Sequence, residues 1–218
     1  MSIRAIAWDI DGTLVDSEPL HHEALIGAGR RWGVDLAGLS MDAFRGVHLP
    51  DVWAALVPRL PDGVTLAAWT AAVEDHYAIH APALQPLPGV RETVARIAAL
   101  GLPQICVSNS SRRVVDANLA ALGLGGAILF SISLDDVVHG KPDPEPYRRG
   151  AERLGLAPAA VLAVEDSVTG ASAARAAGLQ VAGYGPVQAP VAGVDFAIDR
   201  IERVLDLVGH RAEAPIPS

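Results

Sequence analysis

Apolar residues along the chain recur with two different periods, and the change between them divides the sequence. Ile3, Ala5, Ile6, Ala7 and Trp8 form a short apolar run that stops at Asp9, Asp11 and Gly12, as a strand entering a turn does. Over residues 17–32, apolar and small side chains return every three or four positions, the spacing of one helix face. Residues 41–81 hold further helical stretches, broken by Pro50, Pro58, Pro61 and Gly63. Gln85-Pro86-Leu87-Pro88-Gly89 then reads as a boundary. Beyond it helices and strands alternate. Helices are predicted over 90–100, 112–122, 144–154, 169–177 and 201–208, with Gly101, Gly123 and Gly155 closing the first three. Strands are predicted over 104–107, 127–130, 161–164, 179–184 and 194–198, and the Pro-rich stretch 212–218 should be loose.

Strand–helix alternation implies right-handed crossovers, hence an α/β fold: a doubly wound, Rossmann-like parallel sheet with helices on both faces. The helical block that follows the first strand does not fit this alternation. It reads as an inserted, all-helical second domain over 17–83, with 1–16 and 84–218 forming the core domain. Two linkers at such a junction would make a hinge.

The chain has 218 residues, half of them apolar, which is enough to bury a core without staples. With 17 basic and 25 acidic residues its formal net charge is −8, which argues against nucleic acid or an anionic membrane as partner. An anionic ligand would therefore need a local cation. Cys106 is the single cysteine, so no internal disulfide can form, and a reducing, cytoplasmic setting is expected. The N-terminal stretch meets charge at Asp9 and lacks the apolar region of a signal peptide. Oligomeric state has no handle in the sequence.

Three predicted strands end in polar residues: Asp9 and Asp11 after the first, Ser108 and Asn109 after the second, Glu165 and Asp166 after the third. In an open parallel sheet ligands bind outside the carboxyl ends of the strands, so these groups should converge on one crevice. Four carboxylates cannot all ionise there without a counter-charge. A divalent cation is the remedy, and hard oxygen ligands select Mg2+. Lys141, in the loop His139-Gly140-Lys141-Pro142-Asp143-Pro144, could supply a second positive charge. Simpler alternatives fare worse. An EF-hand counted from Asp9 would place Leu14 and Leu20 where Gly and Glu are required. A P-loop at Gly140-Lys141 is broken by Pro142 and by Asp135 in place of its first Gly. Ser108 or Ser167 taken singly could merely start a helix.

The decapeptide Trp8-Asp9-Ile10-Asp11-Gly12-Thr13-Leu14-Val15-Asp16-Ser17 closely resembles the opening motif of the haloacid dehalogenase superfamily. Ser108-Asn109, Lys141-Pro142-Asp143-Pro144 and Glu165-Asp166-Ser167 with Gly170 match its second, third and fourth motifs. A helical cap inserted after the first motif resembles the branch holding phosphoglycolate phosphatase, β-phosphoglucomutase and sugar-phosphate phosphatases. The resemblance implies a magnesium-dependent phosphatase. Asp9 would be the nucleophile that forms an aspartyl-phosphate, and Asp11 the general acid and base. Ser108 would hold a phosphoryl oxygen, and Lys141 would orient Asp9 and neutralise transition-state charge. Mg2+ would be held by Asp9, the Asp11 carbonyl and Asp166, with Glu165 either a ligand or a partner behind the ligands.

Substrate choice should lie with the cap. His21, His22, Arg45 and His48 are its polar candidates, with His21 better placed than His22, joined by Asn109 and Arg112 at the core crevice. In β-phosphoglucomutase a His at the spacing of His21 faces the active site. That mutase also carries Gly-x-Ser-Arg in its cap, where the Arg grips a second phosphate. Here the stretch is Gly46-Val47-His48-Leu49, so hydrolysis of a small phosphorylated metabolite is favoured over mutase chemistry. A dehalogenase proper is disfavoured because Asp11 is present. A catalytically retired binding protein is disfavoured because all the expected positions are filled.

Overall fold

In the computed structural model, residues 2–44, 47 and 49–209 are described. Six parallel strands form one sheet in the order β3-β2-β1-β4-β5-β6. They are β1 (Ala5–Trp8), β2 (Gln104–Val107), β3 (Phe130–Ile132), β4 (Val161–Glu165), β5 (Gln180–Tyr184) and β6 (Phe196–Ile198). The helices are α1 (Glu18–Arg31), α2 (Leu49–Leu56), α3 (Leu66–His80), α4 (Val90–Ala99), α5 (Arg112–Leu122), α6 (Glu145–Leu154), α7 (Val168–Ala176) and α8 (Arg203–Gly209). This is the doubly wound α/β architecture expected. The strand order reverses beside β1, and a reversal of that kind opens a crevice at the carboxyl edge.

Register sorts the strand side chains into two cores, because successive residues of a strand point to opposite faces. Trp8 pairs with Cys106 and with Val164, and Ile6, Leu162 and Ala182 join them on one face, packed with Val94, Ile97 and Val115 of α4 and α5. Ala5, Ala7, Ile105, Val107, Ala163 and Val181 lie on the other, against Tyr147 of α6 and Ala171, Ala173 and Ala174 of α7. Small residues on both sides of that second interface let α7 approach the sheet closely. Gln104, the polar residue at the start of β2, is buried but satisfied: it accepts from Trp8 Nε1 (3.0 Å) and donates to the Val94 carbonyl (2.9 Å).

The segment between β1 and α4 is helical, as expected. α1, α2 and α3 share a third core of Leu20, Ala24, Leu25, Val52, Leu56, Trp69, Val73 and Tyr77, to which α5 contributes Val114. The chain leaves the sheet and returns to it through adjacent segments: Val15 bridges antiparallel to Pro86, and the Leu87 N–H donates to the Leu14 carbonyl (2.9 Å). No helix among the described residues is long and apolar enough to cross a membrane.

One strand differs in place. Residues 127–130 were expected to be extended, but the strand is Phe130–Ile132. Ala127 and Ile128 instead turn back on Leu124 through backbone hydrogen bonds, and Ile128 is apolar because it plugs the sheet's first core. The 212–218 stretch lies outside the described residues.

Candidate active site

The carboxyl ends of β1, β2 and β4 bring the sequence motifs together. Asp9 directly follows β1 and extends its ladder by donating its N–H to the Val164 carbonyl (3.0 Å). The chain then turns sharply, with the Leu14 and Val15 N–H groups both returning to the Ile10 carbonyl. Gly12 sits at the bend with φ +88°, and a Cβ there would overlap the Asp166 carboxylate, so two independent constraints demand glycine. A Cβ on Gly170, in the first turn of α7, would likewise overlap the Glu165 carboxylate. Ser167 caps that helix by accepting from the Gly170 N–H (3.0 Å).

Lys141 is the centre of the charge arrangement. Only 3% exposed, it donates to Asp9 Oδ1 (2.6 Å), Glu165 Oε1 (2.6 Å) and the Val107 carbonyl (2.8 Å), which uses all three ammonium hydrogens. Burial alone would lower its pKa, but Asp9 and Glu165 outweigh burial and hold it well above the ordinary lysine value. Its backbone is fixed by Asn109, whose side-chain oxygen accepts from the Lys141 N–H (2.7 Å) and whose side-chain amide donates to the Lys141 carbonyl (2.9 Å). Glu165 is held from behind as well: Tyr147, on α6, donates its hydroxyl to Glu165 Oε1 and lies under the Lys141 ammonium.

Asp9 has one oxygen fixed by Lys141, while Oδ2 is buried with no hydrogen-bond partner. Burial, opposed by Lys141 and reinforced by Glu165, Asp166 and Asp11, pushes its pKa well above the carboxylate range. Burial and Glu165 push Asp166 up to about 6. Asp9, Glu165 and Asp166 each present an oxygen within 4.8 Å of the others. An orphaned buried carboxylate oxygen among hard oxygen donors, with the pKa values of Asp9 and Asp166 raised, suits a hard divalent cation such as Mg2+.

Asp11 has a different environment. Its Oδ1 accepts from Ser17 Oγ (2.6 Å) and Asn118 Nδ2 (3.2 Å) and lies 3.3 Å from His21 Nε2. Its Oδ2 accepts from Ser110 Oγ (2.9 Å) and Ser108 Oγ (3.2 Å). Burial would raise the Asp11 pKa, but the His21 hydrogen bond and charge, with Ser17 and Ser110, pull it far below the carboxylate range. His21 is affected in return: burial lowers its pKa, and Asp11 more than reverses that, leaving it raised. The His21 ring packs on Tyr77 of α3 at 4.5 Å, and Tyr77 donates its hydroxyl to Asn118 Oδ1 (2.7 Å).

Asp9, Asp11, Ser108, Lys141, Glu165, Asp166 and His21 are therefore gathered around one crevice, as the sequence suggested. Two expectations need correction. Asn109 was expected to contact substrate, yet its side-chain amide is committed to the Lys141 backbone. Arg112 was expected at the crevice too, yet its guanidinium is engaged by Asp116, Ser131 and Asp136, so it pins the end of β3. Arg45 and His48 lie outside the described residues. Sequence reasoning missed Ser17, Ser110, Tyr77, Asn118 and Tyr147. Asn118 carried a signal, because it interrupts the apolar stripe Val114, Val115, Leu122 of α5, and a buried amide needs partners.

Comparison with known proteins agrees with this geometry. A model of haloacid dehalogenase-like hydrolases matches residues 3–178. Protein CbbY of Rhodobacter capsulatus is 34% identical over 192 residues, covering 83% of this chain and 85% of that protein. A phosphoglycolate phosphatase of Chromobacterium violaceum is 30% identical over 220 residues, covering 94% of this chain and 96% of its own. The crystal structure of CbbY from Rhodobacter sphaeroides in complex with phosphate shares the fold, with TM-score 0.83 and 23% identity over 95% of this chain and 99% of that one. A motif set whose members meet at one sheet edge, matched over most of the chain, places this protein in the haloacid dehalogenase-like hydrolase family, within its capped branch.

Proposed function

We propose that this chain is a magnesium-dependent phosphomonoester hydrolase for a small phosphorylated metabolite, a sugar phosphate or phosphoglycolate, working through an aspartyl-phosphate on Asp9. The observation that carries the proposal is the asymmetry of the Asp9 carboxylate. Lys141 immobilises Oδ1 while Oδ2 is left without a partner. A carboxylate presenting one unencumbered oxygen from a rigid mount is arranged for in-line attack on phosphorus. The named relatives support a phosphate ester as substrate.

Asp9 and Asp166, with the Asp11 backbone carbonyl, would hold Mg2+. Glu165 serves behind them by anchoring Lys141, since its Oε1 is occupied by Lys141 and Tyr147. The cation, when bound, offsets repulsion between the carboxylates and an anionic phosphoryl group. Ser108 Oγ and backbone N–H groups following Asp9 and Ser108 would receive the phosphoryl oxygens. Asp9 attacks, the ester bond breaks, and the leaving alcohol takes a proton. That proton would come from the Asp11–His21 pair, whose facing atoms lie 3.3 Å apart and in which Asp11 raises the His21 pKa. Asp11 passes it on, then accepts a proton from the water that cleaves the acyl phosphate.

We further propose that 17–83 act as a cap, carried on the paired crossings at Val15 and Pro86, and that it brings His21 and Tyr77 over the crevice. The test is a panel of phosphomonoesters assayed with Mg2+ and with EDTA. Metal-dependent phosphate release that is lost in Asp9→Asn is expected. Interconversion of hexose 1- and 6-phosphates without release would replace hydrolysis by mutase chemistry. No turnover and no metal binding would leave a binding protein.

A further inference from the structure

A second group of metal-ligating side chains lies outside the crevice, on the helical block. His76 and His80 are four residues apart on α3, so they share one helix face, and their rings stack with centroids 4.2 Å apart. Glu23, on α1, faces them: its Oε1 lies 3.6 Å from His76 Nε2, beyond hydrogen-bonding distance. One ligand atom from each of the three lies within 4.8 Å of the others.

We propose that Glu23, His76 and His80 form a binding site for a borderline transition-metal cation, Zn2+ being the best fit, which clips α1 to α3. Three features go beyond proximity. His80 Nδ1 sits 2.8 Å from the His76 carbonyl. A carbonyl can only accept, so Nδ1 carries the hydrogen and Nε2 of the neutral ring is left as a lone-pair donor. A backbone partner of this kind is what commonly orients a ligating histidine. His76 Nε2 is itself buried and has no hydrogen-bond partner. The His76 ring also rests on bare backbone of α1, because a Cβ on Gly27 would overlap it. Glycine inside a helix costs about 1 kcal/mol relative to alanine, so this position admits the imidazole at the helix's expense.

The spacing suits the cation. Metal–ligand bonds of about 2.0–2.1 Å place tetrahedral ligand atoms roughly 3.3 Å apart. The His76–Glu23 separation of 3.6 Å is already close to that edge. Two imidazoles with one carboxylate favour zinc-like ions over Mg2+, which separates this site chemically from the all-oxygen crevice. Its position gives it consequence: Glu23 lies two residues beyond His21, and His76 immediately precedes Tyr77. Occupancy would brace the two helices that present His21 and Tyr77 to Asp11.

The experiment uses untagged full-length protein in excess Mg2+, which keeps the acidic crevice out of the titration. Zn2+ is titrated calorimetrically, Co2+ is followed by its visible absorption, and thermal melting is recorded with and without Zn2+. We expect one Zn2+ site that survives the Mg2+, four-coordinate Co2+ bands and a raised melting temperature. His80→Ala, at an exposed position that is no part of the catalytic machinery, should bind Zn2+ at least tenfold more weakly and lose the thermal shift. Glu23→Gln should weaken binding in the same direction. Absence of a Mg2+-resistant Zn2+ site in the wild-type protein, or a His80→Ala protein within tenfold of wild-type affinity, would overturn the proposal.

Discussion

Without its cation, the crevice should make the protein lose stability as pH rises from 5 to 8. Asp166 has a folded-state pKa of about 6, above its ordinary value of 3.8, because burial and Glu165 disfavour its charge. A raised folded pKa contributes stability that is complete below the unfolded pKa and disappears as pH climbs through the folded one. The whole shift is worth about 3 kcal/mol at 1.36 kcal/mol per unit. Integrated from pH 5 to 8, the Asp166 loss is about 1.4 kcal/mol. Asp9, raised by burial despite Lys141, and His21, raised by Asp11 despite burial, change stability in the same direction. Asp11 and Asp136 are lowered, so their contributions fade only as pH falls below the ordinary carboxylate value, outside this window. The measurement is urea unfolding in EDTA at pH 5, 6, 7 and 8, repeated in saturating Mg2+. With a slope of about 2 kcal/mol per molar urea, Asp166 alone should move the midpoint down by roughly 0.7 M. Mg2+ at about a hundred times its Kd should restore about 2.7 kcal/mol, chiefly at the alkaline end. Asp166→Asn should flatten the metal-free profile and weaken the response to Mg2+. Metal-free stability that is level or rising across this range would refute the reasoning, as would a Mg2+ response indifferent to pH.

Three further outcomes follow from the same contacts. Asp9→Asn should abolish phosphate release while leaving the metal-free protein at least as stable at pH 8, since it removes a buried charge that burial and the neighbouring carboxylates disfavour more than Lys141 supports it; turnover assays and urea unfolding check both halves. Lys141→Met strips Asp9 and Glu165 of their buried counter-ion and should destabilise by about 3–5 kcal/mol while lowering kcat/KM at least a thousandfold; a folded variant keeping a tenth of wild-type turnover would contradict the role given to it. Asn118→Leu removes one donor from Asp11 and the acceptor of Tyr77, so the acid limb of the pH–rate profile should move upward in pH and kcat should fall roughly tenfold; Tyr77→Phe, which costs only the hydroxyl contact, should show about 1 kcal/mol of destabilisation and a smaller shift.

The sequence was most legible where a residue's chemistry and its position in an element coincide. Asp9, Ser108 and Glu165–Asp166 follow apolar runs that could only be strands, and parallel topology then forces their convergence. Arg112 was misjudged because its place next to Ser108 and Asn109 suggested the crevice, whereas donor geometry decides where a guanidinium settles. Ser131 and the carboxylates of Asp116 and Asp136 satisfy it locally. Asn109 was misjudged for a related reason. Its amide matches a backbone N–H and C=O pair, and Lys141 offers both. Tyr77 and Tyr147 were invisible because a tyrosine on an apolar face looks like core until its hydroxyl partner is known; here those partners come from distant elements, Asn118 and Glu165. The strand misplaced to 127–130 shows that apolar residues near a strand can serve a turn that plugs the core.

Charge at the crevice connects the acidic composition to a substrate that is itself an anion. Four carboxylates, Asp9, Asp11, Glu165 and Asp166, face one buried ammonium, Lys141, and one imidazole, His21, which Asp11 keeps inclined to protonation. Two negative charges remain uncompensated, the amount a single divalent cation supplies. Without it, burial first and the neighbouring carboxylates second raise the pKa values of Asp9 and Asp166, so that protons offset part of the repulsion. With such an ion bound, the pocket would be neutral before substrate arrived, so a phosphate ester would meet neither the field of the crevice nor much of the chain's net charge of −8, whose exposed part is screened by salt within about 10 Å. On the proposed reading, affinity would then depend on short-range donors, Ser108 and the backbone N–H groups beside it. Discrimination among phosphate esters would, on the same reading, fall to the helical block, whose His21 and Tyr77 lie beside Asp11 and Asn118.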